Sequence, residues 1–202
     1  LRCLVGSEMC IRDRYRREVF EKVGFFNEEL VRTEDNEIHY RMRKAGYKLC
    51  FDPDIISYQY TRSSLKAMLK QKYANGYWIG KTSKVCPKCL SIYHFVPFAF
   101  VSAIIASGSV IGATGLAECI KKRHNHTLGK GISALRKVTV VLTTVMWVLY
   151  ALMASGMAAV SAFKAEDKRN ITNACLPVLF LLLHLSYGIG TIAGLMDKSK
   201  RG

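Results

Sequence analysis

The chain has 202 residues, half of them hydrophobic, and a formal net charge of +15. Apolar bulk combined with excess Lys and Arg is typical of a membrane protein with basic edges or of a basic nucleic-acid-binding protein. The layout excludes a nucleic-acid partner, because in residues 92–202 the charges form groups between uncharged stretches that are long enough to cross a membrane.

Residues 1–14 contain no long apolar core and include Glu8 and Asp13, so we expect no signal peptide in this segment. The stretch looks like translated sequencing-adapter sequence, and no initiator Met is present. We expect residues 1–14 to be non-native and the chain to start within a longer protein.

Residues 15–91 carry both signs of charge, as a soluble domain does. Val19, Phe20 and Val23 fall on one face of a short helix that Gly24 ends. This pattern predicts an amphipathic helix at the start of the domain.

A second helix begins after Thr33, a good N-cap residue that two acidic residues follow. Ile38, Met42 and Ala45 form its buried stripe, and Gly46 is the expected glycine just beyond its end. From periodicity alone, the Thr-Glu-Asp sequence is an ordinary helix start.

Two strand candidates follow, at residues 47–51 and 55–60. A third helix begins at Ser63 or Ser64 and is expected to end at Asn75-Gly76.

The stretch FEKVGFFNEELVRTEDNEIHYRMRKAGYKLCFDPD (residues 20–54) resembles the acceptor-site region of family 2 glycosyltransferases. In that family a glycine-phenylalanine-acidic turn leads to an acidic pair and then to a helix ending R-x-R-K-A-G-Y. The nearest subgroup is the bacterial succinoglycan-biosynthesis type, whose membrane helices follow the catalytic domain. The resemblance implies an α/β fragment, the C-terminal half of a GT-A-type glycosyltransferase domain, over residues 15–91.

The resemblance also implies roles for the acidic pair. Asp35 matches the family's catalytic base, which takes the proton of the acceptor hydroxyl in an inverting transfer. We expect it to be ionised and exposed at a loop edge. Glu34 is expected to shape the site or to bind acceptor hydroxyls.

A second matching element runs from Gln71 to Trp78, near the place where processive synthases carry Gln-x-x-Arg-Trp. The arginine is not reproduced. The candidate acceptor- or donor-binding residues are Gln71, Tyr77, Trp78, Lys81 and Arg41. Alternatively, this stretch is an amphipathic helix on the membrane surface, with Lys among the headgroups.

The resemblance further implies Mg²⁺ or Mn²⁺ in the full-length enzyme, held by a D-x-D sequence upstream of this chain. Asp52-Pro53-Asp54 matches the D-x-D pattern but follows the catalytic helix, where the family has a structural turn. We therefore expect this chain alone to lack donor and metal binding and to be inactive.

Seven cysteines, odd in number and irregularly spaced, argue against a disulfide framework and fit a reducing cytoplasm. Cys86-Pro-Lys-Cys89 is a lone CxxC pair. A zinc site needs four ligands, so we predict a solvated loop there.

Residues 92–202 contain three hydrophobic runs of membrane length, at 95–117, 138–163 and 175–196. Small residues in the first run and in the third predict close helix packing. His184, in the third run, is expected to be neutral and hydrogen-bonded between helices, or to lie near the path of a lipid-linked sugar.

The membrane orientation stays open, because basic residues flank the first run on both sides. Either that run is a re-entrant hairpin, or the basic loop after it is an exception. The sequence favours three helices with the catalytic part on the cytoplasmic side of a bacterial inner membrane.

Two hypotheses for function follow. The first is a glycosyltransferase that uses a nucleotide-sugar donor and a lipid-linked or polysaccharide acceptor, in contact with membrane lipids. The second is a non-catalytic membrane protein whose basic cytoplasmic region docks a partner or anionic lipid.

Overall fold

The computed structural model describes residues 15–50, 64–123, 130–164 and 175–198. The segment expected to be non-native, the Asp52-Pro53-Asp54 turn and the second strand candidate therefore lie outside the described residues. The α-helices are α1 (Arg17–Val23), α2 (Glu34–Lys44), α3 (Leu65–Val85), α4 (Val96–Arg123), α5 (Lys130–Lys164) and α6 (Leu176–Met196), with 3₁₀ helices at Pro87–Cys89 and Ile92–Phe95.

The predicted α/β fragment is wrong for the part of the chain that the structure describes, where every regular element is a helix. Residues 47–50, the described part of the first strand candidate, form no strand. Tyr47 and Leu49 instead pack, partly buried, against the core of the helices that precede them. Their alternating pattern reflects this packing rather than a sheet ladder.

The chain divides into two compact units, Leu1–Phe98 with Ser186–Gly202, and Ala99–Leu185. In the first unit, Val19 of α1 packs on Ile38 and Met42 of α2 to form a small hydrophobic core. Both predicted glycine stops are confirmed: Gly24 has φ of 81° and Gly46 has φ of 89°, a left-handed region that favours glycine.

Helix α3 is the longest helix that lies wholly in the first unit. Ser64, one of the two residues predicted to begin this helix, is its N-cap, and its hydroxyl accepts a hydrogen bond from the Ala67 amide at 3.3 Å. The predicted end at Asn75-Gly76 is wrong, because α3 continues to Val85. Gly76 lies inside the helix, at a point where another backbone approaches closely.

That backbone is the C-terminal half of α6. A Cβ atom built on Gly76 would lie 2.0 Å from the carbonyl oxygen of Tyr187, and one on Gly194 would lie 2.0 Å from that of Tyr77. The positions in contact rise together along the two helices, so α3 and α6 run in the same direction. We call the set Gly76, Gly80, Gly190 and Gly194 the glycine contact; it places two G-x-x-x-G spacings against each other.

Among the residues that the structure describes, three helices are long and apolar enough to cross a membrane, over Ile92–Lys121, Lys130–Ser161 and Leu176–Met196. They correspond to the three predicted runs. Helix α4 is unbroken from Val96 to Arg123, so the re-entrant alternative for the first run is wrong. Large apolar side chains of α4 and α5 are exposed along their length, which suits contact with lipid.

Within the second unit, aromatic rings connect its helices. Phe100 of α4 stacks on Tyr150 of α5 with ring centroids 4.7 Å apart. His184 Nδ1 lies 3.2 Å from the Tyr150 hydroxyl and 2.8 Å from the Phe180 carbonyl oxygen. These contacts match the expectation that His184 is hydrogen-bonded between helices.

Candidate functional site

The acidic pair Glu34-Asp35 opens α2, and Thr33 is the N-cap residue. The Thr33 hydroxyl makes no capping bond to its own helix and instead forms a short hydrogen bond with the Thr82 hydroxyl of α3. The Asp35 carboxylate accepts the Asn36 amide proton at 2.8 Å, which satisfies one of the unpaired donors of the first turn. The acidic pair thus begins α2, and the Thr33–Thr82 hydrogen bond holds it beside α3.

Asp35 is buried, with 5% of its surface exposed, so the expectation of an exposed carboxylate is wrong. Thr33 and Glu37, two residues away on either side, are buried as well, at 5% and 8% exposed. The cause is packing, because the helix start lies against α3 and α2 packs on the 3₁₀ helix Pro87–Cys89. A carboxylate in such surroundings is shielded from bulk water.

Glu34 has one buried carboxylate oxygen, Oε2, that makes no hydrogen bond with any described residue. Buried polar atoms almost always have a partner in native proteins. Next to Asp35, such an oxygen is suited to accept a hydrogen bond from a ligand hydroxyl.

Two side-chain bonds hold the segment before α2 against α3. Arg32 Nη1 donates to Asn75 Oδ1 at 2.8 Å, and Thr33 bonds to Thr82, which is completely buried. Asn75 and Thr82 are seven residues apart, so they share one face of α3, a different face from that of Gly76 and Gly80. The structure therefore brings the acidic pair next to the helix that carries the second predicted element.

Two of the predicted binding residues on α3, Tyr77 and Lys81, bond to Asp197, the first residue after α6. The Tyr77 hydroxyl donates a short hydrogen bond to Asp197 Oδ2, and Lys81 Nζ lies 3.1 Å from the same oxygen. Lys84 Nζ donates to the Asp197 backbone carbonyl at 2.8 Å. Sequence reasoning missed Asp197, although it is the sole acidic residue of residues 175–202.

Gln71 and Trp78 are half-buried on α3, and the Trp78 ring meets the Tyr77 ring edge to face with centroids 5.8 Å apart. An aromatic pair of this kind offers apolar faces of the sort on which sugar rings stack. Their contact with substrate stays a prediction.

Arg41 lies two turns along α2 from the acidic pair, and its guanidinium holds the neighbouring loop. It makes a bidentate pair with Glu37, with distances of 2.7 and 2.8 Å, and donates to the carbonyl oxygens of Val23 and Phe25. These bonds give Arg41 a structural role. Its predicted contact with substrate stays a prediction.

The Cys86–Cys89 pair is not a solvated loop, since Pro87–Cys89 is a 3₁₀ helix and Cys89 is buried. Burial raises the pKa of the Cys89 thiol to about 12. A hydrogen bond and a charge interaction with Cys86 add smaller shifts in the same direction. A thiol of this kind is a poor nucleophile at neutral pH. The described residues contain no cluster of three or more His, Cys, Asp or Glu side chains that could hold a metal ion.

A groove of about 440 Å³ in the second unit lies between α4 and α5, with Ile111, Thr144 and Trp147 in its wall. None of its lining residues ionises. The groove cannot supply a general base, so the acidic pair is the better candidate for chemistry.

Comparison with known proteins places the chain in a family. A model of the glycosyl transferase family group 2 matches residues 4–192, and the protein therefore belongs to this glycosyltransferase family. The match begins inside the segment 1–14 that we expect to be non-native, and that expectation stays a prediction.

A curated relative from Methanococcus voltae is 30% identical over 81 residues, which are 40% of this chain and 25% of that protein. It is named dolichyl N-acetyl-α-D-glucosaminyl phosphate 3-β-D-2,3-diacetamido-2,3-dideoxy-β-D-glucuronosyltransferase. The chain thus spans a quarter of the length of this relative. No solved structure matches the chain.

Proposed function

We propose that the protein is an inverting glycosyltransferase that moves a sugar from a nucleotide-sugar donor to an acceptor at the cytoplasmic face of a membrane. The observation that carries the proposal is the acidic pair Glu34-Asp35, in which Asp35 is buried and Glu34 half-buried, held beside α3 by the Thr33–Thr82 hydrogen bond. The family match supports sugar transfer and does not favour the alternative of a non-catalytic docking protein.

In the proposed step, a hydroxyl oxygen of the acceptor attacks the anomeric carbon of the donor sugar from the face opposite the diphosphate. The bond from that carbon to the diphosphate oxygen breaks, and its electron pair leaves with the nucleotide diphosphate. The hydroxyl proton moves to a carboxylate oxygen of Asp35, which acts as general base. The start of a helix suits this role, because the helix dipole stabilises negative charge there.

Glu34 accepts a hydrogen bond from a second acceptor hydroxyl in this proposal. Its buried Oε2 atom has no partner among the described residues, so a sugar hydroxyl would satisfy it. The result is an acceptor held by one carboxylate and deprotonated by the other, which orients the attacking oxygen.

Helix α3 supplies the contacts to the donor. Lys81 carries a positive charge one residue away from Thr82, which bonds to the segment of the acidic pair. A lysine there stabilises the negative charge that develops on the leaving diphosphate. Tyr77, Trp78 and Gln71 are the proposed contacts to sugar rings and hydroxyls.

A divalent metal ion such as Mg²⁺ or Mn²⁺ would neutralise the diphosphate of the donor. The described residues do not fit such an ion, since they contain no group of three or more potential ligands. No step of the proposed reaction is therefore assigned to a metal ion held by these residues.

We propose a lipid-linked acceptor ahead of a polysaccharide one. Three apolar helices of membrane length lie in the same chain as the acidic pair. The relative's name describes transfer to a sugar carried on dolichyl phosphate. Both observations support an acceptor that stays in the membrane while its sugar is extended.

The test replaces Asp35 with Asn in the full-length protein. Membranes are incubated with a panel of radiolabelled UDP-, GDP- and dTDP-sugars, and transfer to lipid-extractable and polymeric products is measured. We expect Asp35→Asn to lower transfer by about 10²- to 10⁴-fold, because Asn cannot take the proton. Asn still accepts the Asn36 amide bond, so the helix start is preserved.

The matched control is Glu28→Gln, which removes an exposed carboxylate from the same segment. We expect Glu28→Gln to transfer sugar at the wild-type rate. Unchanged transfer by Asp35→Asn, at equal protein in the membrane, would overturn the assignment of the base.

A further inference from the structure

We propose that Asp197 is a positioning residue for sugar transfer: its carboxylate holds Tyr77 and Lys81 of α3 in the orientation that binds the donor. The proposal rests on the proposed function for the roles of these two side chains. Asp197 itself acts through α3 and is not placed in contact with the reacting atoms.

The geometry joins three groups at one oxygen. Asp197 Oδ2 accepts from the Tyr77 hydroxyl and pairs with Lys81 Nζ at 3.1 Å. The pair is largely shielded from water, since the side chains of Lys81 and Asp197 are 16% and 26% exposed. A charge pair in these surroundings is screened less by water and salt than one at the surface.

The position of Asp197 is electrostatically unfavourable in isolation. It follows Met196, the last residue of α6, where the helix dipole presents its negative end. Its amide proton still bonds to the Ala193 carbonyl oxygen at 2.9 Å, so the residue continues the helical turn. Lys81 and Lys84 compensate, one at the carboxylate and one at the backbone carbonyl.

The glycine contact fixes the register that makes this pairing possible. The Gly194 Cα faces the carbonyl of Tyr77, so the two backbones approach with no side chain between them. Asp197 lies three residues beyond Gly194, and Lys81 lies four residues beyond Tyr77. The end of α6 therefore meets α3 one helical turn past the contact, at the residues proposed to bind the donor.

Removal of the charge has a specific consequence. An ammonium group carries three donors, so Lys81 can bond both to Asp197 and to a phosphate oxygen. Without the carboxylate, Lys81 loses its fixed orientation. The side chain must then be ordered when the donor binds, which makes the free energy of donor binding less favourable. The expected defect is in donor affinity rather than in proton transfer.

The experiment measures KM and kcat for the nucleotide sugar of the panel that wild-type membranes use. We expect Asp197→Asn to raise KM about tenfold, the equivalent of about 1.4 kcal/mol. The kcat is expected to stay within about threefold, because Asp35 is untouched. Asp197→Glu should restore most of the affinity, since it retains the charge.

Lys66→Met is the matched control, because it removes an exposed lysine from the same helix about four turns away from the carboxylate pair. We expect it to leave KM unchanged. The double variant Asp197→Asn/Lys81→Met should be no worse than Lys81→Met alone. The Asn amide oxygen still accepts from the Tyr77 hydroxyl, so both changes break the same charge pair.

Additive losses in the double variant contradict the proposal. An unchanged KM in Asp197→Asn with a lower thermal unfolding midpoint also contradicts it, because the residue would then be structural alone. If Asp35→Asn retains transfer while Asp197 and Lys81 stay coupled in KM, the base assignment fails and the positioning role stands.

Discussion

The two units of the chain use glycine in opposite ways. In the first unit, a Cβ on any residue of the glycine contact would lie within 2.0 to 2.5 Å of a backbone atom of the facing helix. In the second unit, a Cβ on Gly108, Gly112 or Gly156 would meet no described atom within 4 Å. The same residue type is a packing requirement in one unit and a substitutable position in the other.

The difference follows from what each unit must do. Helix α3 carries lysines and cannot be buried in lipid, so it gains stability by packing closely on α6 through backbone and by pairing its charges with Asp197. Helices α4 and α5 expose apolar side chains along their length and need no such partner. Polar contacts therefore fix the positions of the helices in the first unit. In the second unit, the main feature of the helices is their long apolar surface.

The largest effect is expected from adding one methyl group to the glycine contact. Gly194→Ala places a Cβ against the Tyr77 carbonyl, and the backbone of one helix must shift. We expect a loss of more than about 2 kcal/mol, since overpacking in a well-packed contact costs about 1–3 kcal/mol and here both neighbours are backbone. Unfolding in detergent micelles measures the change.

Gly112→Ala in α4 is the matched control. It adds the same methyl where no described atom lies within 4 Å, and alanine favours helix by up to about 1 kcal/mol over glycine. We expect unchanged or increased stability. Equal losses at both positions would remove the distinction between the two units.

Much of the first unit could be predicted from sequence where the signal is local. Gly24 and Gly46 end their helices through their backbone conformation, and Ser64 begins its helix through a side-chain hydrogen bond. The structure confirms all three positions. The three apolar runs were predictable for the same reason, because length and composition suffice.

The remainder depends on distant partners. From the local sequence, Gly76 is predicted to end a helix. Its actual role is close packing against α6, which lies more than a hundred residues later in the chain. The burial of Asp35 follows from the packing of α2 and α3 and not from its neighbours in sequence. Asp197 belongs to no sequence motif, and it becomes a candidate functional residue through its ion pair with Lys81.

The next effect in size concerns Arg41. Arg41→Met removes a bidentate partner of Glu37, which is 8% exposed, together with bonds to two carbonyl oxygens. We expect a loss of about 2–3 kcal/mol, because a buried carboxylate would be left without its cation. The free energy of unfolding in detergent measures it.

Arg17→Met is the corresponding surface change, since the Arg17 side chain in its ion pair with Glu21 is 95% exposed. We expect less than about 0.5 kcal/mol there. If Arg41→Met instead raises KM with no loss of stability, its role is substrate binding rather than support of the loop.

The smallest stability effect is expected at the Thr33–Thr82 bond, and it tests whether this contact serves the acidic pair. Thr82→Val keeps the shape of a completely buried side chain but removes its hydroxyl. We expect a loss of about 1–2 kcal/mol from the broken buried hydrogen bond. Transfer activity should fall further than stability, because the segment that precedes Glu34 loses its attachment to α3.

The matched change in the second unit is Thr144→Val, where the hydroxyl donates to the Val140 carbonyl of its own helix at 2.9 Å. That carbonyl already accepts the helical bond, so we expect a change within about 0.5 kcal/mol and normal transfer. If Thr82→Val also leaves transfer normal, the acidic pair does not depend on α3 for its position. The hydrogen bond would then serve stability alone, and the arrangement of the two helices would be set by the 3₁₀ helix Pro87–Cys89.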